Sequence, residues 1–134
     1  MTSSTPKNRQ DWPAGFILNA PAPAIEKEML EAFSGVPTAF VSDCLGRNIG
    51  AIGLRSYYDD ATSMCGTALT VRVRPGDNLM IHKAIELAQA GDVIVIDGGG
   101  DLSQAVVGGI MRAMLIKRGL GGVVVDGAIR DVAE

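Results

Sequence analysis

Apolar positions recur along this chain with two different periods, and the switches between them mark its elements. From Gly66 to Arg74 the period is two: Ala68, Thr70, Arg72 and Arg74 lie on one side, Leu69, Val71 and Val73 on the other. That is the pattern of a half-buried strand, and Pro75-Gly76 ends it. Ile81, Ala84, Ile85 and Ala88 then recur at helical spacing, with Asp77 or Asn78 placed to cap the helix. Asn78, His82, Glu86 and Gln89 form the opposite stripe, so His82 reads as a solvated or interface residue. Gly91-Asp92 turns the chain into a continuous β-branched run, Val93–Ile96, and a second such run follows at Val123–Val125. Each run ends in Asp-Gly (Asp97-Gly98 and Asp126-Gly127), with an apolar segment of helical length between them. Strand, helix and strand at this spacing predict a βαβ crossover with parallel strands that finish at one edge of a sheet.

Upstream, Pro21 and Pro23 bracket a helix start, with Pro23 in the first turn and Ile25, Met29, Leu30 and Phe33 as the apolar face. After Pro37, Thr38 reads as the cap of a second helix whose buried face is Phe40, Val41, Cys44 and Leu45. Gly46 to Gly53 is a loop, and Arg55 to Asp60 fits no single pattern. Residues 1–20 read as a flexible polar lead-in and residues 21–134 as one α/β domain. The domain is expected to continue beyond Glu134, because a βαβ unit normally feeds another element.

The crossover also carries the chemistry. Glycine inside a helix costs about 1 kcal/mol relative to alanine, so Gly108-Gly109 predicts that the regular helix begins there, with Ala105–Val107 in a preceding turn. The amides of Gly108, Gly109, Ile110 and Met111 are then first-turn donors without intrahelical acceptors. The helix dipole adds roughly half a positive charge at that end, which makes a cradle for a carboxylate or phosphate. Equally, the two glycines could serve close packing against a strand or a neighbouring subunit. Arg130-Asp131 follows the second strand on the same edge, where ligands of open α/β sheets collect. An Arg can clamp a carboxylate through two parallel hydrogen bonds, and an adjacent Asp can hold a hard divalent cation. A 2-oxo acid needs that pair, a clamp for its carboxylate and a Lewis acid on its carbonyl oxygen. The plainer alternative is a surface Arg paired with Asp97 or Asp126.

Composition removes other classes. A net charge of −3 and a pI near 5.1 argue against a broad nucleic-acid-binding face. One Trp, two Tyr and three Phe are too few for a base-stacking platform. Cys44 and Cys65 are isolated and there is a single His, so a structural zinc site is not expected and the cysteines read as reduced thiols. No apolar run reaches the roughly 20 residues that span a bilayer. Gly98-Gly99-Gly100-Asp101 lacks the GxGxxG spacing before a helix, and no GxxxxGK[ST] occurs. Asp101 is expected to shape the loop over the site. No serine has a G-x-S-x-G context, and neither cysteine has an evident base.

Four blocks, VPTAFVSDCLG, CGTALTVRV, PGDNLMIHKAIELAQAGDVIVIDGGG and GLGGVVVDGAIRD, together resemble the RraA-like family. It includes 4-hydroxy-4-methyl-2-oxoglutarate aldolases and the regulator of ribonuclease E activity, and some members have been labelled dimethylmenaquinone methyltransferase. The resemblance runs from Val36 to Asp131 and implies a swivelling β/β/α fold, assembled as homotrimers or homohexamers with sites at subunit interfaces. It implies that amides at Gly108, Gly109, Ile110 and Met111 hold the pyruvate moiety, that Arg130 is the catalytic, substrate-binding Arg, and that Asp131 binds Mg²⁺ or Mn²⁺. One position departs: the family's aldolases carry an acidic residue, then twenty intervening residues, then the Arg-Asp pair, and here the acid's place is Gly109. The implied function is a divalent-metal-dependent, cytoplasmic lyase that cleaves 4-hydroxy-2-oxo acids to pyruvate, with oxaloacetate decarboxylation as a second activity. Its partner would be a small 2-oxo acid, with neither nucleic acid nor membrane. The alternative is a non-catalytic regulator that docks on a ribonuclease or another protein. Methyl transfer is the weakest reading, since no cofactor-binding glycine signature is placed correctly.

Overall fold

Three apolar runs form a parallel sheet at the centre of the molecule. A computed structural model describes residues 15–20, 22–48, 50–57 and 63–132; the lead-in expected at 1–20 lies outside these for residues 1–14. Strands β1 (Ala68–Arg72), β2 (Val93–Asp97) and β4 (Gly122–Asp126) are ordered β1-β2-β4, all parallel. Arg72 pairs with Asp97, and Asp97 with Asp126, so three charged residues stand side by side at the carboxyl edge. The period-two reading of β1 holds: Ala68, Thr70 and Arg72 are exposed, while Leu69 and Val71 are half-buried. β2, with neighbours on both sides, is the most buried strand, and Ile94 is fully enclosed.

Helix α3 (Leu79–Leu87) lays Ile81, Ala84 and Ile85 on this sheet as its spacing predicts, with Ala88 buried at its end. Asn78 occupies the cap position without a side-chain bond, and the Leu79 amide instead donates to Asp77 Oδ1 at 3.0 Å. Helix α4 (Gly109–Lys117) begins at the predicted glycines and buries Met111 and Leu115 in the same core.

The crossover holds one element that the pattern did not suggest. Ala105–Val107 is a strand, β3, not a turn, and it pairs in parallel with β5 (Ala128–Ile129) in a separate two-stranded sheet. Its Val-Val pair suits extended backbone, and Val106 and Val107 are buried against the core. Two further boundaries shift. Helix α1 runs Lys27–Phe33, not from Pro23, because its cap residue Glu26 is extended (φ −63°, ψ 144°). In α2 (Thr38–Cys44) the cap is Pro37, whose carbonyl accepts the Phe40 amide at 2.9 Å, and Thr38 is the first helical residue. Neither helix contains a buried residue. The faces expected to be covered are open, with Phe40 63% and Met29 54% exposed, because the sheet's core is already filled by α3, β3 and α4.

Candidate functional site

The carboxyl ends of β3 and β5 and the first turns of α3 and α4 enclose one cleft of about 170 Å³. Water occupies about 30 Å³ per molecule in the liquid, so this space suits a small organic acid. Arg130 leaves β5 with its amide donating to Val107 O at 3.0 Å, which ties the Arg130-Asp131 pair to the end of β3. Val107 leads directly into Gly108, the extended residue (φ −143°, ψ −174°) that precedes α4. Gly108, Gly109, Ile110, Met111, Arg130 and Asp131 therefore all line the cleft, the six residues singled out from the sequence.

Asp131 has left-handed backbone geometry, φ +61°, uncommon outside glycine and tolerated best by Asn and Asp. That conformation accompanies a carboxylate aimed at the helix start. Its Oδ2 accepts the Gly109 amide at 3.0 Å and lies 3.6 Å from Arg130 Nε. The amides of Ile110 and Met111 follow, with no acceptor one turn behind them, as at any helix start. Gly108 is fixed by close approach: a Cβ there would lie 2.9 Å from Arg130 Nε and 3.0 Å from Asp131 Oδ2. The guanidinium and carboxylate positions thus require this glycine.

Neither Asp97 nor Asp126, the partners that the spacing also offered, pairs with Arg130 among the described residues. Asp97 is taken by Arg72, Nε to Oδ2 at 2.5 Å. That bond, with the Gly99 amide at 3.1 Å, holds the Asp97 carboxyl below the usual carboxylate range. Among the described residues, the ion-pair partner of Arg130 is Asp131. Arg130 itself stays largely solvated, 73% exposed, which leaves its fork open toward the cleft. Asp101 braces its own loop: its carboxylate accepts the Ser103 hydroxyl at 2.8 Å and its carbonyl accepts the Ala128 amide at 3.0 Å. It does not line the cleft.

Two of the lining residues with polar side chains were not singled out. Asn78 and His82, one turn apart on α3, form a wall of the cleft. Asn78 Nδ2 lies 4.0 Å from Met111 Sδ, which sets the start of α3 against the start of α4. His82, expected to be a solvated or interface residue, is half-buried there. Its place on a polar stripe gave no signal, because a stripe that faces a cleft and one that faces water have the same sequence.

As to a cation, no cluster of three His, Cys, Asp or Glu side chains exists among the described residues. Asp131 would be its protein ligand. Mg²⁺ is commonly held by one or two carboxylates, with water and substrate oxygens completing the shell, so a single exposed carboxylate beside an anion cradle fits. No helix among the described residues is long and apolar enough to cross a membrane.

Comparison with known proteins gives the family of the chain. Residues 38–134 match the family model described as "RraA-like: Aldolase/RraA". A Halalkalibacterium halodurans protein named "Putative 4-hydroxy-4-methyl-2-oxoglutarate aldolase" is 38% identical over 107 residues, covering 80% of this chain and 51% of that protein. A Thermus thermophilus protein named "4-hydroxy-4-methyl-2-oxoglutarate aldolase" is 42% identical over 69 residues, 52% of this chain and 42% of that one. Among solved structures, the RNA-processing inhibitor RraA of Thermus thermophilus superposes with a TM-score of 0.64 at 33% identity, covering 74% of this chain and 60% of the other. The chain spans about half the length of the curated relatives it matches.

Proposed function

The chain belongs to the RraA-like family, and from that premise and the geometry of the cleft we propose that it is a lyase for small 4-hydroxy-2-oxo acids, releasing pyruvate with the help of a divalent cation. The observation that carries this reading is the contact of Asp131 Oδ2 with the Gly109 amide at 3.0 Å. A carboxylate oxygen already rests on the start of α4, where amides and dipole favour negative charge. A substrate carboxylate would take the neighbouring amides of Ile110 and Met111 and the open fork of Arg130. Asp131 would hold Mg²⁺ or Mn²⁺, which when bound supplies a Lewis acid for the substrate's 2-oxo oxygen. Arg130 orients the acid so that the bond to be broken points along the cleft toward α3. Exposed apolar faces on α1 and α2 are consistent with an oligomer, in line with the trimers or hexamers that the resemblance implies.

A second reading has one specific observation behind it. Gly109 stands where the family's aldolases carry an acid, so the cleft retains the anion cradle without that carboxylate. On this reading the protein is a regulator that docks on a ribonuclease or another partner, as the similarity to an RNA-processing inhibitor suggests. The two are separated by incubating the purified protein with 4-hydroxy-4-methyl-2-oxoglutarate or oxaloacetate and Mg²⁺ or Mn²⁺, with pyruvate read through lactate dehydrogenase. The lyase reading expects pyruvate that disappears on chelation. No pyruvate with either cation rejects it in favour of the regulator.

A further inference from the structure

We propose that His82 is the proton carrier of this cleft, the residue that takes the substrate's hydroxyl proton and returns it to carbon. The proposal rests on the oxo-acid reading above and deepens it. Of the eleven residues that line the cleft, three have ionisable side chains: His82, Arg130 and Asp131. Arg130 cannot give up its proton in a protein. Asp131 is committed to the Gly109 amide and the guanidinium. Position 109, where a carboxylate could have handled a proton, is glycine. What is left is the half-buried imidazole on α3, one turn from Asn78 and on the wall that Asn78 brings against the start of α4.

The cleavage requires such a group. In a 4-hydroxy-2-oxo acid the proton on the C4 oxygen passes to neutral imidazole, and the oxygen's electron pair closes a C4=O double bond. The C3–C4 bond breaks, its electrons form C2=C3, and the charge settles on the C2 oxygen as an enolate. The imidazolium then delivers the same proton to C3, giving the methyl group of pyruvate and restoring neutral imidazole. One proton is taken and one returned, and no further reactant is needed. The charged residues that share the cleft with His82 are Arg130 and Asp131. On α3 itself, Lys83 and Glu86 pair with each other at 2.7 Å, and α4 contributes only Gly109, Ile110 and Met111 to the lining.

The chain has a single histidine, so its imidazole proton resonances identify themselves in a tag-free sample. Pyruvate titrated into the native protein without metal is expected to shift those resonances. In deuterated buffer with Mg²⁺, the native protein is expected to exchange the methyl protons of pyruvate, and His82→Gln to do so about 10²- to 10⁴-fold more slowly, the range for a lost general acid–base group. Pyruvate affinity should change by no more than a few-fold. His82→Asn serves if the Gln variant fails to fold. Native-like exchange in a folded variant overturns the role of His82 while leaving the lyase reading intact. Imidazole signals that ignore bound pyruvate overturn it as well. A native protein that neither binds nor exchanges pyruvate overturns the lyase reading, and the proton role falls with it.

Discussion

Replacing Gly108 with alanine tests whether Arg130 and Asp131 act together. The new Cβ would lie 2.9 Å from Arg130 Nε, 3.0 Å from Asp131 Oδ2 and 3.2 Å from Arg130 Cγ. All three are closer than ordinary van der Waals contact, so both side chains must move. The backbone does not object, since φ is −143° and any residue adopts that conformation. Reduced freedom of the unfolded chain would contribute about 0.4–1 kcal/mol in favour of alanine, against a few tenths for the poorer cap and the displacement of a flexible Arg. Stability should therefore change by no more than about 1 kcal/mol, a few degrees in Tm for a domain of this size. Ligand binding should respond far more. A hydrogen bond to a charged group is worth about 1.5–3 kcal/mol, and each 1.4 kcal/mol is tenfold in Kd, so pyruvate should bind roughly 10- to 100-fold more weakly. Calorimetric titration of the native and Gly108→Ala proteins, with melting curves for both, measures each quantity. A folded variant that binds pyruvate as tightly as the native chain would refute the pairing.

Other outcomes follow from single residues. Asp131→Gly relieves a left-handed non-glycine residue, worth about 1 kcal/mol, but loses the bond to the Gly109 amide, worth about 1.5–3 kcal/mol, so its Tm should fall by a few degrees while cation-dependent pyruvate release is lost. Equal activity in that variant would take the cation away from Asp131. Ile94→Ala empties a fully buried position of the central strand and should cost about 2–5 kcal/mol in chemical denaturation. Asp97→Asn removes a carboxylate whose pKa is lowered chiefly by Arg72. A depressed folded pKa gives stability that is present above the ordinary value of about 3.9 and lost as pH falls through the folded one. The native protein should therefore melt slightly higher than the variant at pH 7, and the gap should close in acid. Because the pair is exposed, added salt should also narrow it.

These residues differ in how far the sequence revealed them. The stripe on α3 and the alternation in β1 were legible because each element packs one face on one neighbour. The parallel pairing of β2 and β4 was legible because two β-branched runs flank a helix-length segment. The start of α4 was legible from the helical cost of Gly108-Gly109. By contrast, β3 and β5 span three and two residues, too few to show a period, and they exist through tertiary pairing with each other. The apolar faces of α1 and α2 were correctly seen as amphipathic, but a face's composition does not say whether this chain covers it. The place of His82 at the cleft was not legible for a related reason. Its polar stripe borders the cleft only because the start of α3 is brought against α4, a long-range contact that no local spacing encodes.

The central claim, an oxo acid held over the start of α4, is most directly tested by determining the structure of the protein with pyruvate and Mg²⁺. The account predicts the pyruvate carboxylate against the amides of Ile110 and Met111 and the Arg130 guanidinium, with the cation beside Asp131. Pyruvate bound elsewhere, or a cation away from Asp131 at saturating concentrations of both, would contradict it.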